Sequence, residues 1–147
     1  IQKGKVGIII MHMQNNPKTM QNNPTYDNLI NTIYDQLHNQ INQCENANIK
    51  DIIIDPGIGF GKTLNHNLKI IKQLKKFSAL NYPILIGTSR KSFIGTITNA
   101  PVNNREAGTI ASSLYAIQQG ADIIRVHNVK DMKQALVVWE AINNEKS

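Results

Sequence analysis

IIIDPGIGFGKT, residues 52–63, is the stretch that decides the fold. Its three consecutive isoleucines are β-branched and apolar on both faces, which is typical of a parallel strand covered on both sides. Asp55 stands where that strand ends, and Gly57, Gly59 and Gly61 follow at alternate positions. Glycine lets a backbone approach a ligand closely because it has no Cβ and tolerates positive φ. The stretch therefore predicts a strand that leads into a ligand-binding loop.

Two other interpretations of this loop stay open. A P-loop also ends in Gly-Lys-Thr, but it needs a glycine five residues before its last glycine, and Pro56 stands there instead. The loop could also be a purely structural turn in which Asp55 caps a helix. An N-cap normally precedes a helix directly, whereas Asp55 precedes a glycine-rich loop, so a binding site is favoured.

Strand-like and helix-like patterns alternate along the whole chain. The predicted strands are residues 6–11, 51–54, 84–88 and 122–126, and the predicted helices are residues 26–44, 67–77, 104–119 and 130–142, with Gly120 ending the third helix. Four consecutive βα units demand a parallel sheet with helical crossovers. The fold class is therefore α/β, either an open doubly wound sheet or part of a (β/α)8 barrel.

The composition of the 147 residues predicts one globular domain, since 41% are hydrophobic. The single Cys44 is interpreted as a small hydrophobic residue in a helical pattern. No apolar run approaches the roughly 20 residues needed to cross a bilayer, and no charged-then-apolar leader precedes Val6. We expect a cytoplasmic enzyme or binding protein without a membrane partner.

The net charge of +6 raises the question of a nucleic-acid partner. Four lysines, however, lie along one predicted helix whose other face is apolar: Lys69, Lys72, Lys75 and Lys76. Only 5% of the residues are aromatic, and the sequence shows neither a base-stacking platform nor a zinc-ligand spacing. We expect no nucleic-acid binding, while small anionic ligands remain attractive.

Chemically capable side chains follow every predicted strand. They are His12 after the first, Asp55 after the second, Ser89, Arg90 and Lys91 after the third, and Arg125 and His127 around the end of the fourth. The carboxyl ends of parallel strands share one edge, where ligands bind in α/β folds. The sequence therefore predicts one cleft built from four loops.

Taken one by one, these residues keep simpler alternatives. His12 could equally be a structural histidine or a ligand contact. Arg90 and Lys91 could be solvated charges, although a lysine soon after an apolar strand is interpreted as a pocket cation. Arg125 and His127 alternate on a strand, so both are expected on one side, as a clamp for an anion requires.

Four motifs together resemble the dihydropteroate synthase family, in order and at compatible spacing. They are MHMQ (11–14) with NPKTMQ (16–21), DPGIGFGK (55–62), GTSRKSFIG (87–95) and RVHNV (125–129). They extend over essentially the whole chain. One departure is Asn15, where the family usually has glycine.

The resemblance implies a fold of which only part is present. Members of that family are complete (β/α)8 barrels, so residues 1–147 are expected to be the C-terminal half of a single pterin-binding barrel whose N-terminal half is absent. The chain begins with Ile1 instead of methionine, which fits a fragment. A half barrel has open sheet edges and apolar surface, so dimerisation or aggregation is expected. The full-length protein is expected to be a homodimer.

The resemblance also implies a reaction. It is the condensation of 6-hydroxymethyl-7,8-dihydropterin diphosphate with para-aminobenzoate to 7,8-dihydropteroate and diphosphate, in folate biosynthesis. The partners are therefore small molecules. The cofactor is Mg²⁺, with its protein ligand expected in the absent half and no metal ligand in this chain. The fragment alone is expected to be an inactive part of a transferase.

Roles are carried over residue by residue from the matching motifs. The pterin is expected on Asp55, Lys91, Met11 and Gly87, para-aminobenzoate on Gly59, Phe60, Ser89 and Lys91, and diphosphate on Arg125 and His127. No covalent nucleophile is required, and Ser89 is not assigned as one. A corrinoid-dependent pterin methyltransferase is disfavoured by the Ser89 and Arg125 motifs. A non-catalytic pterin- or anion-binding protein remains the alternative from another class.

Overall fold

The protein alternates strands and helices throughout the part that the structure, a computed structural model, describes, residues 7–14 and 24–145. Its main elements are β1 (Ile8–Met11), α1 (Leu29–Asn46), β2 (Ile52–Asp55), α2 (Leu64–Lys72), β3 (Leu85–Ile86), α3 (Ser92–Thr98), α4 (Glu106–Gln118), β4 (Ile123–Ile124) and α5 (Val129–Asn144). Short 3₁₀ helices occupy Leu74–Leu80 and Val102–Asn104. The predicted α/β class is confirmed.

All strand pairs are parallel, and neighbours in the sheet are neighbours in the chain. β1 pairs with β2, with Met11 opposite Asp55, and β3 pairs with β4. A single parallel bridge between Ile54 and Ile84 connects the two pairs. The order β1-β2-β3-β4 brings the carboxyl ends of all four strands to one edge, as parallel strands with helical crossovers must.

The two faces of this sheet differ in what covers them. Alternate strand residues, Ile8, Ile10, Ile52, Ile54, Ile84 and Ile86, belong to one hydrophobic core with the helices. The residues between them point to the other face, because successive strand side chains alternate. There Ile9, opposite Ile53, is 51% exposed. For β2, which was expected to be covered on both sides, Ile52 and Ile54 are buried and Ile53 on the other face is partly buried.

Element ends follow local capping chemistry. The Asn28 side chain accepts a hydrogen bond from the Asn31 N–H at the start of α1. Thr63 and His66 form a reciprocal capping box at the start of α2. After α4, Gly120 adopts a φ of +96°, so the predicted stop is confirmed.

Several predicted boundaries are wrong. The predicted helix 67–77 is α2 followed by a 3₁₀ helix, and helix α3 was missed, because its seven residues include β-branched Ile94, Thr96 and Ile97, which are poor helix formers. The predicted strands 84–88 and 122–126 shrink to two residues each. Arg125 still extends the ladder, since its N–H donates to the Ile86 carbonyl. Val6 lies outside the described residues.

The lysines of the charged helix face, residues 69, 72, 75 and 76, are exposed as expected. Among the described residues, no helix combines the length and the apolar character that a bilayer crossing needs.

Candidate functional site

A pocket of about 300 Å³ opens at the carboxyl edge of the sheet. Its lining contains six of the predicted site residues and one valine: Phe60, Gly87, Ser89, Lys91, Arg125, Val126 and His127. Loops after β2, β3 and β4 supply them. Three segments that are far apart in sequence therefore meet around one cavity.

Asp55 does not line this pocket itself but is paired with Arg125 of the lining and is 1% exposed. One carboxylate oxygen, Oδ1, accepts a hydrogen bond of 2.7 Å from the Gly57 N–H. The other, Oδ2, is 3.2 Å from Nη2 of Arg125. Burial raises the pKa of Asp55 above its ordinary value, while the Gly57 N–H and the charges of Arg125, Lys91 and Lys62 oppose that rise. The carboxylate is held in one orientation by partners on both oxygens.

Lys62 is a site residue that sequence reasoning did not single out. Its ammonium is 3.0 Å from Nδ1 of His12 and donates to the Phe60 carbonyl at 2.9 Å. Burial lowers the pKa of Lys62 to about 7, with Asp55 acting in the opposite direction. The sequence feature that could have pointed to Lys62 is its place in Gly61-Lys62-Thr63. That tripeptide is typical of a phosphate-binding loop and does not predict a lysine that faces inward.

His12 was predicted to be either a structural histidine or a ligand contact, and its surroundings are those of a structural histidine. It is 1% exposed, and burial together with the charge of Lys62 lowers its pKa to about 3. A neutral imidazole can accept the Lys62 hydrogen bond at Nδ1. His12 thus supports the loop after β2 from behind and is not among the residues that line the pocket.

The glycine-rich loop is held by contacts within the chain that differ from those of a P-loop. Gly57 has a φ of +74°, and a Cβ there would overlap the His12 carbonyl. The Gly59 N–H donates to the Asn67 side chain at 2.7 Å, and the Tyr26 hydroxyl donates to the Gly61 carbonyl at 3.0 Å. Thr63, which would hold a metal in a P-loop, is committed to capping α2.

Lys91 crosses from β3 to the β2 loop. Its ammonium lies 4.2 Å from the centroid of the Phe60 ring, a cation–π contact. Its aliphatic stem passes over Gly59, where a Cβ would be 3.0 Å from the Lys91 side chain. Half-burial and the nearby Arg125 lower the pKa of Lys91. Gly59, Phe60 and Lys91 therefore form one continuous wall.

The opposite wall combines a serine, a histidine and an arginine. Ser89 Oγ is 2.8 Å from Nδ1 of His127 and also accepts the His127 backbone N–H at 3.3 Å. If the hydroxyl donates to Nδ1, the Nε2–H of His127 is left as a donor. The guanidinium of Arg125 lies over Gly87, where a Cβ would be 3.1 Å from Nη2. Arg125 and His127 line the same pocket although the strand ends before them.

The charges around the pocket favour an anionic ligand over a metal ion. The charges of Lys62, Lys91 and Arg125 all act on the buried carboxylate of Asp55. Magnesium prefers several oxygen ligands, whereas Asp55 is already paired with a cation. The described residues, 7–14 and 24–145, contain no group of three or more histidine, cysteine or acidic side chains that could hold a metal. These side chains do not fit a magnesium site by themselves.

Comparisons with known proteins bear on the same residues. The sequence model of the pterin-binding enzymes matches residues 1–127. The chain belongs to the pterin-binding enzyme family. Dihydropteroate synthase of Haemophilus influenzae is 43% identical over 139 residues, which are 93% of this chain and 50% of that protein.

Solved structures of dihydropteroate synthases resemble this chain closely. The enzyme of Yersinia pestis, in complex with a sulfonamide drug, superposes with a TM-score of 0.93 at 39% identity, over 97% of this chain and 53% of that one. The enzyme of Thermus thermophilus, in complex with 4-aminobenzoate, gives 0.91 at 34% identity, over 95% and 58%. The predicted resemblance is confirmed, and the chain spans about half the length of the relatives it matches.

Proposed function

We propose that this chain forms the pterin- and para-aminobenzoate-binding half of a dihydropteroate synthase of folate biosynthesis. The observation that carries the proposal is the pocket itself, which Arg125 and His127 line together with Lys91 and Phe60. The buried carboxylate of Asp55 is paired with Arg125 of this lining. A substrate with a flat polar ring and a diphosphate would use both sides. The similarity to proteins of that name supports the same reaction.

The domain is the C-terminal half of a (β/α)8 barrel, with residues 1–147 as four of its βα units. The exposed face at Ile9 supports this proposal, since it belongs in a barrel interior that further strands would fill. Val129 and Ile142 on α5 are also exposed, 66% and 71%, as expected of a helix that lacks its neighbour in the barrel.

Asp55 recognises the pterin. Its carboxylate accepts hydrogen bonds from the amino and ring N–H groups, and its charge stabilises a pterin cation as diphosphate departs. Met11 stands opposite Asp55 in the sheet, where its thioether contacts the flat ring. Lys91 donates to the carbonyl side of the pterin. Gly87 leaves room for the ring and for Arg125 beside it.

Para-aminobenzoate binds between Gly59, Phe60, Ser89 and Lys91. Its amine attacks the pterin methylene, the new C–N bond replaces the C–O bond to diphosphate, and the amine releases a proton to solvent. Arg125 and His127 hold the departing diphosphate, because charge-assisted donors bind phosphate oxygens strongly. A magnesium ion would supply neutralisation of the diphosphate charge, and its protein ligand would come from the other half of the barrel.

The working enzyme is a cytoplasmic homodimer of full-length barrels. This chain alone binds pterin or anion without turnover, because the other half supplies the rest of the substrate contacts. A corrinoid-dependent methyltransferase would not need the diphosphate clamp of Arg125 and His127.

The test joins this chain to the first half of the Haemophilus influenzae relative, giving what we call the rejoined barrel. Calorimetry with pterin diphosphate and Mg²⁺, followed by an assay of dihydropteroate formation, is run on the chain alone, the rejoined barrel, and the rejoined barrel with His127→Ala. We expect turnover in the rejoined barrel, a loss of at least about tenfold in the variant, and none from the chain alone. A rejoined barrel that binds without turnover would contradict the synthase assignment.

A further inference from the structure

The loop that carries Ser89 and Lys91 makes an unusual turn. The Lys91 N–H donates to the Thr88 carbonyl at 3.1 Å, which closes a β-turn with Arg90 at its third position. Arg90 has a φ of +56°, in the left-handed region. Turns of this kind favour glycine or asparagine there, since other side chains are strained. Something outside the turn must therefore hold Arg90 in place.

Thr109 of α4 and Arg105, the residue directly before that helix, hold the Arg90 peptide groups from both sides. Thr109 Oγ1 accepts the Arg90 N–H at 3.1 Å. The guanidinium of Arg105 donates to the Arg90 carbonyl at 3.1 Å and to the Lys91 carbonyl at 3.4 Å. Nε of Arg105 donates to the Ala100 carbonyl at 3.0 Å, which fixes the orientation of the guanidinium group.

The packing around Arg105 leaves it little freedom. A Cβ on Gly95 would overlap the guanidinium, so Arg105 lies flat against the α3 backbone. Thr109 is fully buried in α4. Arg105 and Thr109, which we call the clamp residues, are thus anchored by contacts outside the pocket. Neither of them lines the pocket.

We propose that Arg105, together with Thr109, is a positioning residue that keeps Arg90 left-handed and thereby directs Ser89 and Lys91 into the para-aminobenzoate pocket. Ser89 and Lys91 are the chain neighbours of Arg90, so a change in the backbone conformation of Arg90 would reorient both side chains. The clamp acts through Ser89 and Lys91 and touches no substrate. This inference rests on the proposed function for its kinetic readout.

The test compares Arg105→Gln in three versions of the rejoined barrel: unchanged at position 90, with Arg90→Gly, and with Arg90→Ala. We expect Arg105→Gln to raise KM for para-aminobenzoate about tenfold, with a smaller change in kcat. Glycine adopts positive φ without strain, so Arg90→Gly restores KM to within about threefold. Arg90→Ala removes the same charge but keeps the strain and does not restore it.

Two results would overturn the clamp: a fall in kcat with KM unchanged, or equal restoration by glycine and alanine. If the unsubstituted rejoined barrel is inactive, the proposed function fails and the clamp is judged by urea unfolding. Arg105→Gln should then destabilise the Arg90→Gly protein less than the Arg90→Ala protein. An equal loss in both would refute the clamp.

Discussion

The β2 loop (residues 55–62) and the β4 end (residues 125–127) build the same pocket in opposite ways. Asp55 and Lys62 are 1% and 5% exposed, and each has at least two partners in this chain. The side chain of Arg125 is 51% exposed, and the polar partner found for its guanidinium among the described residues is Asp55. The comparison shows that the carboxylate side is organised by contacts within the chain, whereas the guanidinium of Arg125 on the other side stays half exposed.

The largest expected effect comes from breaking the organised side at its centre. Asp55→Asn places an amide N–H2 against either the Gly57 N–H or Arg125, so a donor faces a donor. We expect the rejoined barrel to lose pterin affinity by at least about 100-fold, roughly 3 kcal/mol. Calorimetric titration measures this loss. Asp35→Asn, at an exposed carboxylate of α1, is the control for the charge change, and retained pterin binding in Asp55→Asn would contradict the assignment.

The next effect tests whether the β2 loop is held from behind. Lys62→Met leaves the buried Nδ1 of His12 and the partly buried carbonyl of Phe60 without their donor. We expect the free energy of unfolding to fall by about 2 to 3 kcal/mol, the cost of buried unpaired polar groups. Urea unfolding measures it, with the exposed Lys72→Met as control. Equal stability of the two variants would show that the support is dispensable.

The open side should show a smaller and more selective effect. Arg125→Ala removes a charge-assisted donor worth about 2 kcal/mol, so KM for the pterin diphosphate should rise about 10- to 100-fold in the rejoined barrel. KM for para-aminobenzoate should change less than about threefold. Steady-state kinetics with each substrate varied in turn decide this, and equal losses for both substrates would argue against an anion clamp.

The smallest expected effect is on the pH dependence of the free energy of unfolding. It tests the β2 loop through His12, the partner of Lys62. The pKa of His12 is lowered to about 3, whereas an imidazole in the unfolded chain protonates near pH 6.5. The unfolded state therefore binds more protons between these values. As pH falls through this window, the free energy of unfolding should decrease by up to about 1.4 kcal/mol per pH unit.

Unfolding of the rejoined barrel in urea between about pH 7.5 and 5 measures the His12 contribution. His12→Asn keeps an acceptor near Nδ1 but cannot titrate, so its curve should be flatter. His38→Asn, at an exposed histidine of α1, is the control for the substitution of an imidazole by an amide. A slope that His12→Asn does not alter would place the acid sensitivity elsewhere.

Much of the candidate site could be predicted from the sequence, because its residues directly follow the strands along the chain. A buried strand followed by Asp55 and spaced glycines predicts a ligand-binding loop from local sequence alone. The carboxyl ends of parallel strands must also lie at one edge of the sheet. The residues that were missed act across the fold. Lys62 is recognised only through His12, fifty positions away, and Arg105 only through the backbone of Arg90.

Boundaries were less predictable than element types. The strands at 84–88 and 122–126 appear as long apolar runs, yet ladder pairing lasts two residues in each. A hydrophobic pattern reports burial, whereas strand length depends on which backbone groups find partners. Helix α3 was hidden because its residues belong to a motif that suggested chemistry, and because their intrinsic helix propensity is weak.

The sequence by itself determined the α/β class, the edge on which the site lies, and the residue types gathered there, since periodicity and strand-end chemistry are local properties of the chain. Only the tertiary structure decided that His12 is a support, that Lys62 faces inward, and that Arg90 is left-handed under Arg105. Those facts depend on contacts between segments distant in sequence. Burial and hydrogen-bond geometry exist only once such segments have packed together.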